Sequence, residues 1–227
     1  MRARITGAAL ILAALAGPVA AQDAPNADAP DADALIADFE AAFEAGEDIV
    51  ADIAAMAARD QYLRTTFIAR MQQAPSEAVR QDYIDRTTHH FARVGGQNTE
   101  RLKAILEDMD WAELAALSPK AAQDAFLIVS HTNDAEFKAA VVAEIEPMVR
   151  AGTFDGEEYA LLVDDLLLAD TGMQRYATNF DCEGGAWTPK PTEDLAVADE
   201  LRAEFGMPSV AESARIMVQI YGDCPAE

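Results

Sequence analysis

Basic residues are scarce: 17 Lys and Arg stand against 40 Asp and Glu, a formal net charge of −23. So acidic a chain repels phosphate backbones and anionic lipid, so neither nucleic acid nor a membrane surface is expected as a partner. The excess acid reads as a solvated, soluble surface. Histidine is scarcer still, at three residues. Two of them, His89 and His90, are adjacent, so they point to different helix faces and do not make the i, i+4 pair of a zinc-binding helix. With cysteine limited to Cys182 and Cys224, no metal site and no cofactor are expected. Phosphate loop, dinucleotide glycine pattern and nucleophile elbow are all missing, which withdraws support from the common motif-based enzyme classes. No convincing alternating strand pattern appears either.

Long apolar runs are also absent, except at the amino terminus. There Arg2 and Arg4 precede an apolar run ending in Val19-Ala20-Ala21, the pattern of a secretory signal peptide over residues 1–21, cleaved after Ala21. As a membrane anchor the run is too short against the ~20 residues a bilayer needs, and Gly17-Pro18 interrupts it. No later segment is apolar enough to cross, so no span is expected in the mature chain. The expected location is periplasmic or secreted, and the mature chain keeps 15 basic and 40 acidic residues, net −25. In an oxidising compartment two cysteines pair more often than they stay free. A Cys182–Cys224 bridge closing a loop of about forty residues would contribute roughly 3 to 4 kcal/mol; the alternative is two unpaired thiols.

Residues 22–33, "QDAPNADAPDAD", read as a disordered acidic Ala/Pro leader. Residues 34–227 are long enough for a single domain with one core. Alanine and leucine dominate this stretch, acids precede helical patterns, and Gly46, Gly152, Gly172, Gly206 and Gly222 fall where those patterns stop. The predicted helices cover Ala34–Ala45, Asp48–Ala74, Glu77–Met109 with a possible break at Gly95-Gly96, Pro119–His131, Ala135–Ala151, Gly156–Ala169, Glu193–Phe205 and Val210–Tyr221. Ser118 before Pro119 is a helix start with proline at the first helical position, while Asn133 with Glu136 and Ser209 with Glu212 have capping-box spacing. The predicted fold is all-α, an irregular bundle of seven or eight helices with no substantial sheet.

Several polar residues interrupt apolar faces. The stripe Ile49, Ile53, Met56, Leu63, Phe67 and Met71 is missing one position, 60, and that position is Asp60. Arg64 lies one turn on and can meet it at i, i+4 spacing. A charge in a core stripe needs a partner, so the pair is either a lock on helix packing or the floor of a pocket. In "EEYALLVDDLLLAD", Asp165 shares a face with Glu158 and is expected in solvent, whereas Asp164 is framed by Ala160, Leu161, Leu167 and Leu168. Asn98 falls among Phe91, Val94, Ile105 and Met109 and is expected to point inward. Asp60, Asn98 and Asp164 are therefore predicted to share one polar network across three helices. The segment 119–131 is apolar on nearly all sides, as in a central helix, and ends on His131. A lone histidine there is more often structural than catalytic; it is the one candidate for acid/base work.

These positions resemble a bacterial family known as domain of unknown function 6624. Its members carry Asp-Gln-x-x-Arg, Asn-Thr-x-x-Leu-Lys leading to Gly-Trp-Pro, a helix ending in Gln-His-Ala-Asp, an Asp-Arg pair, and Gln-x-Tyr-Gly-Thr-Gln. Here the same order reads Asp60-Gln61-Tyr62-Leu63-Arg64, Asn98-Thr99-Glu100-Arg101-Leu102-Lys103 with Trp111, Ser130-His131-Thr132-Asn133, Asp164-Asp165 and Gln174-Arg175-Tyr176-Ala177-Thr178-Asn179. The match runs from about Arg59 to Phe180 and, more loosely, through "PKPTEDLAVADELRAEFGMP". The resemblance implies a helical domain with one polar cluster and implies no activity. The chain departs from the pattern at Asp165 for arginine, Ala177 for glycine, Asn179 for glutamine, and Asp110 and Ala112 for the glycine and proline beside Trp111.

Three functions follow as expectations. The first is binding of a small polar molecule or peptide in a pocket lined by Asp60, Arg64, Asn98, His131, Asp164, Gln174, Tyr176 and Thr178. The second is a structural or protein-interaction module with a buried polar network. The third is a hydrolase or lyase using His131, oriented by Asp60 or Asp164. "MQRYATNF", residues 173–180, is expected to fold back with Gln174, Tyr176 and Thr178 facing Asp60 and His131.

Overall fold

The computed structural model describes residues 46–74 and 76–224, together with residue 37. The signal peptide, the acidic leader and most of the predicted helix 34–45 lie outside the described residues. Eight helices and one two-stranded sheet follow in the order α1 (Ile49–Gln73), α2 (Glu77–Leu106), α3 (Trp111–Leu117), α4 (Pro119–His131), α5 (Ala135–Arg150), α6 (Gly156–Thr171), β1 (Phe180–Glu183), β2 (Ala186–Pro189), α7 (Leu195–Glu204) and α8 (Val210–Tyr221). The helical bounds anticipated from sequence agree to within about three residues, and α2 passes through Gly95-Gly96 without a break.

Each helix begins where a short polar side chain occupies a free backbone N–H. Asp48 caps α1, Ser76 caps α2, and Ser118 caps α4 with Pro119 in its first turn. Two starts differ from expectation. Asp134, one residue beyond Asn133, caps α5 by accepting from the Phe137 N–H at 2.9 Å, and its other oxygen pairs with Lys103 at 2.6 Å. Asp194 caps α7, so this helix starts at Leu195 and not at Glu193, whose N–H is held by the Gln174 carbonyl at 2.9 Å.

Two elements were not anticipated. Asp110 and Glu113 form a reciprocal capping box that starts α3, placing Trp111 and Leu114 fully inside the core. The departure from glycine at 110 thus supplies the cap. The second is the hairpin of β1 and β2, antiparallel with Glu183 opposite Ala186. Its two-residue turn, Gly184-Gly185, has φ of 59° and 82°, both in the left-handed region that tight hairpins require.

Helix α4 is central, packing against α1, α2, α3 and α5; Ala121, Ala125, Phe126, Ile128 and Val129 are all buried. The main core gathers Ile53 and Met56 of α1, Leu102, Trp111, Leu114, Ile145 of α5 and Leu162 of α6 around it. A smaller cluster of Leu63, Tyr83 and Val94, flanked by Phe67 and Phe91, closes the far end of the α1–α2 pair. Ile49, the first residue of the predicted stripe, is exposed instead, since it sits in the first turn of α1. At the carboxyl end Cys182 and Cys224 form a disulfide with their Cα atoms 5.5 Å apart. It ties β1 to the end of α8, beside the packed rings of Trp187 and Tyr221.

Candidate functional site

The apolar stripe of α1 carries Asp60 inward, 5% exposed. Two side chains meet it on one oxygen. Arg64 Nε donates to Oδ2 at 2.9 Å, and Nδ1 of His131, the last residue of α4, donates to the same atom at 2.5 Å. Burial alone would raise the Asp60 carboxyl, but the hydrogen bond and charge of His131, and then those of Arg64, outweigh it and hold the pKa below the ordinary aspartate value. An ionised carboxylate only accepts, so the shared proton orients the His131 ring and leaves Nε2 as the outward nitrogen. Nε2 has no hydrogen-bond partner among the described residues.

Asn98 arrives from α2. The antiparallel pairing of α1 and α2 is fixed by Asp52 with Arg101 at 2.6 Å and by Arg64 and Phe67 against Phe91, at 5.9 and 5.1 Å to the ring centroid. Asn98 lies in the stretch of α2 between those contacts. On the other side, Thr99 Oγ1 donates to Thr132 Oγ1 at 2.7 Å, tying the neighbour of Asn98 to the neighbour of His131. Asn98 is 4% exposed, and its Nδ2 is buried with no hydrogen-bond partner. Arg64 likewise uses only Nε, with its side chain 23% exposed.

Asp164 belongs to a separate polar group. It is wholly buried on α6, and both its oxygens are engaged by the segment that follows the helix. Oδ1 accepts from the N–H groups of Arg175 and Tyr176 at 2.7 and 2.9 Å; Oδ2 accepts from the Thr178 N–H at 2.9 Å and its hydroxyl at 2.8 Å. Gln174 is equally committed: its amide Nε2 donates to the carbonyls of Asn179 and Lys190, both at 3.0 Å, while Oε1 accepts from the Asn179 N–H. Ala177 stands at φ 53°, a left-handed conformation that explains the family's glycine there. Tyr176 packs in the core against Tyr159 and Phe205, at 6.3 and 5.7 Å between centroids. Burial first, then Tyr159, push its phenol up to about 12, so it holds its proton at neutral pH.

The eight residues singled out in sequence therefore fall into two groups, not one. Asp60, Arg64 and His131 are joined by hydrogen bonds between α1 and α4, and Asn98 on α2 is tied to them only through the bond of its neighbour Thr99 to Thr132. Asp164, Gln174, Tyr176 and Thr178 build a loop that no hydrogen bond among the described residues joins to the first group. The segment 173–180 thus wraps Asp164, and none of its hydrogen bonds reaches Asp60 or His131. Asp165, expected in solvent, is partly exposed and pairs with Lys138 at 3.4 Å.

Sequence reasoning missed Arg202. Buried on α7, it donates from Nη1 to the Tyr176 and Ala177 carbonyls, from Nε to Pro208 and from Nη2 to Ser213 Oγ. Its signal was position: one turn beyond Ala198, on the face that packs inward. The Thr99–Thr132 bond was equally unread, although both residues stand inside the motifs that carry the resemblance.

No helix among the described residues is long and apolar enough to cross a membrane. No curated protein and no solved structure matches the chain. A family model does match residues 47–224, which takes in both polar groups and every described helix; the chain belongs to the family of unknown function DUF6624.

Proposed function

We propose that the protein is an exported binding domain whose Asp60, Arg64, Asn98 and His131 receive a small polar molecule or a peptide end. One observation carries this reading: the Asn98 amide is buried and its Nδ2 has no partner. A buried donor left unsatisfied costs about 1 to 3 kcal/mol, and native proteins keep few such groups without a use for them. An acceptor on a ligand would relieve that cost. Export is supported by the Cys182–Cys224 bridge, which suits an oxidising compartment.

A second reading, a hydrolase or lyase, is favoured by the Asp60–His131 contact, because a carboxylate on Nδ1 poises Nε2 as a general base. Asp60 is the orienting acid in that reading, since the oxygens of Asp164 are fully engaged.

A thermal-shift panel of amino acids, short peptides, organic acids, sugars and nucleosides tests both. Binding predicts at least one compound that raises the melting temperature of wild type and leaves His131→Ala unmoved. If no compound shifts wild type while His131→Ala merely melts earlier, the cluster is a packing network and the binding reading fails. Conversion of a hit on incubation, lost in His131→Ala, would replace binding by catalysis.

A further inference from the structure

The donors left over at the Asp60 cluster are of one kind. Arg64 engages Asp60 through Nε alone, so its two terminal nitrogens, in the plane that matches an oxygen pair, are not engaged by protein among the described residues. Asn98 contributes a further N–H donor from a side chain that is 4% exposed. The guanidinium lies over the Phe91 ring at 5.9 Å from its centroid, a cation–π contact that helps hold it. Meanwhile the charge of Asp60 is paired with that of Arg64 at 2.9 Å, which reduces its repulsion toward an incoming anion. A sugar or neutral amide would need acceptors and donors in comparable number; this arrangement is weighted toward donors from a planar fork and an amide.

We propose that the ligand of this site is a carboxylate, bound by the Arg64 fork and by Asn98 Nδ2, either a free small acid or the carboxyl end of a peptide. The proposal rests on the binding reading above and narrows it to one chemical class. Asn98 reads one oxygen of the group and Arg64 the edge of both, while the Asp60–His131 pair holds the arginine in place.

The test uses the full-length bridged protein, labelled with nitrogen-15, and follows the side-chain resonances of Asn98 Nδ2 and Arg64 Nε during titration. Four probes form two matched pairs: N-acetylglycine with N-acetylglycinamide, and acetyl-trialanine with its carboxyl-terminal amide. The acids are expected to shift both resonances saturably, with each amide at least about tenfold weaker, the step from a charged to a neutral acceptor. A response to the peptide acid alone identifies a peptide end; equal response to both acids identifies the carboxylate as the whole determinant. Arg64→Lys keeps the charge and removes the fork, and is expected to weaken both acids while they stay ahead of their amides; Asn98→Leu is expected to weaken both acids as well. If the amides bind as well as the acids, the carboxylate assignment falls and the broader binding reading stands. If no acid shifts either resonance while another compound of the thermal panel does, the carboxylate assignment falls in the same way. Silence in both experiments removes the two readings together.

Discussion

Asp60 and Asp164 are both buried carboxylates on helix faces otherwise made of leucine, alanine and methionine, and they are satisfied in different ways. Asp164 receives three backbone N–H groups and one hydroxyl from a single four-residue stretch, Arg175 to Thr178. Asp60 is met by two side chains, Arg64 and His131, on one oxygen, and both keep unused nitrogens of their own. A carboxylate closed by backbone fixes the chain and has no capacity left for anything else. One closed by side chains on neighbouring helices remains an adjustable group, able to exchange partners with something that arrives. The family pattern names both aspartates, so motif membership alone does not separate architecture from site; the inventory of used and unused donors does.

The largest expected effect tests the architectural half. In Asp164→Asn one oxygen becomes an NH2 group that faces donors, so two hydrogen bonds are lost and an N–H is left opposed to another. Bonds to a charged acceptor contribute about 1.5 to 3 kcal/mol each, and we expect a loss of at least about 3 kcal/mol in urea unfolding, together with disorder of residues 174–179. Retention of wild-type stability would show that Arg202, through the Tyr176 and Ala177 carbonyls, holds the loop without Asp164.

The other half is broken by pH. The folded pKa of Asp60 lies below its unfolded value of about 3.9, so its contribution is complete above that value and disappears as pH falls through the folded pKa. Asp60→Asn removes the charge at every pH. We expect the variant to unfold about 2 kcal/mol more easily than wild type at pH 5.5 and the gap to narrow steadily toward pH 2. A gap that stays constant would mean the asparagine is penalised for shape and not for charge, and would take the ion pair out of the account of stability.

How far the sequence carried this comparison depends on which interactions repeat with the helix. Asp60 and Arg64 lie four residues apart on one helix, so period alone placed them; Asp164 was legible by the same rule, buried beside a more exposed Asp165. The partners of Asp164 were not, because backbone N–H groups carry no residue signature and the fold-back after Gly172 is set by tertiary contacts, among them the Gln174 bonds to Asn179 and Lys190. The hairpin hid for a related reason. Its Gly184-Gly185 turn was visible, but strands of four residues are too short to show alternation. For α3 the reverse holds: the Asp110-x-x-Glu113 spacing was in plain sight and went unread. The disulfide needed only composition and compartment.

A third acid sharpens the contrast from the opposite side. Glu158, in the first turns of α6, has a fully buried Oε2 with no hydrogen-bond partner. Burial first, then the neighbouring charges of Asp155 and Glu157, raise its pKa to about 7. Where Asp60 has the hydrogen bonds of His131 and Arg64 to hold it ionised, Glu158 has the neighbouring anions Asp155 and Glu157 and is pushed toward its neutral form. The sign of the linkage is then reversed: the unfolded chain ionises near pH 4.3 and the folded one near 7, so this residue destabilises the fold increasingly across that interval and by a constant amount above it. Glu158→Gln is neutral throughout and nearly isosteric. We expect it to melt with wild type at pH 4 and above wild type at pH 8, by a few degrees at most given the partial exposure of the side chain. A variant that melts lower than wild type at pH 8 would show that the ionised carboxylate finds a partner in the folded state, and would move Glu158 into the class of Asp60.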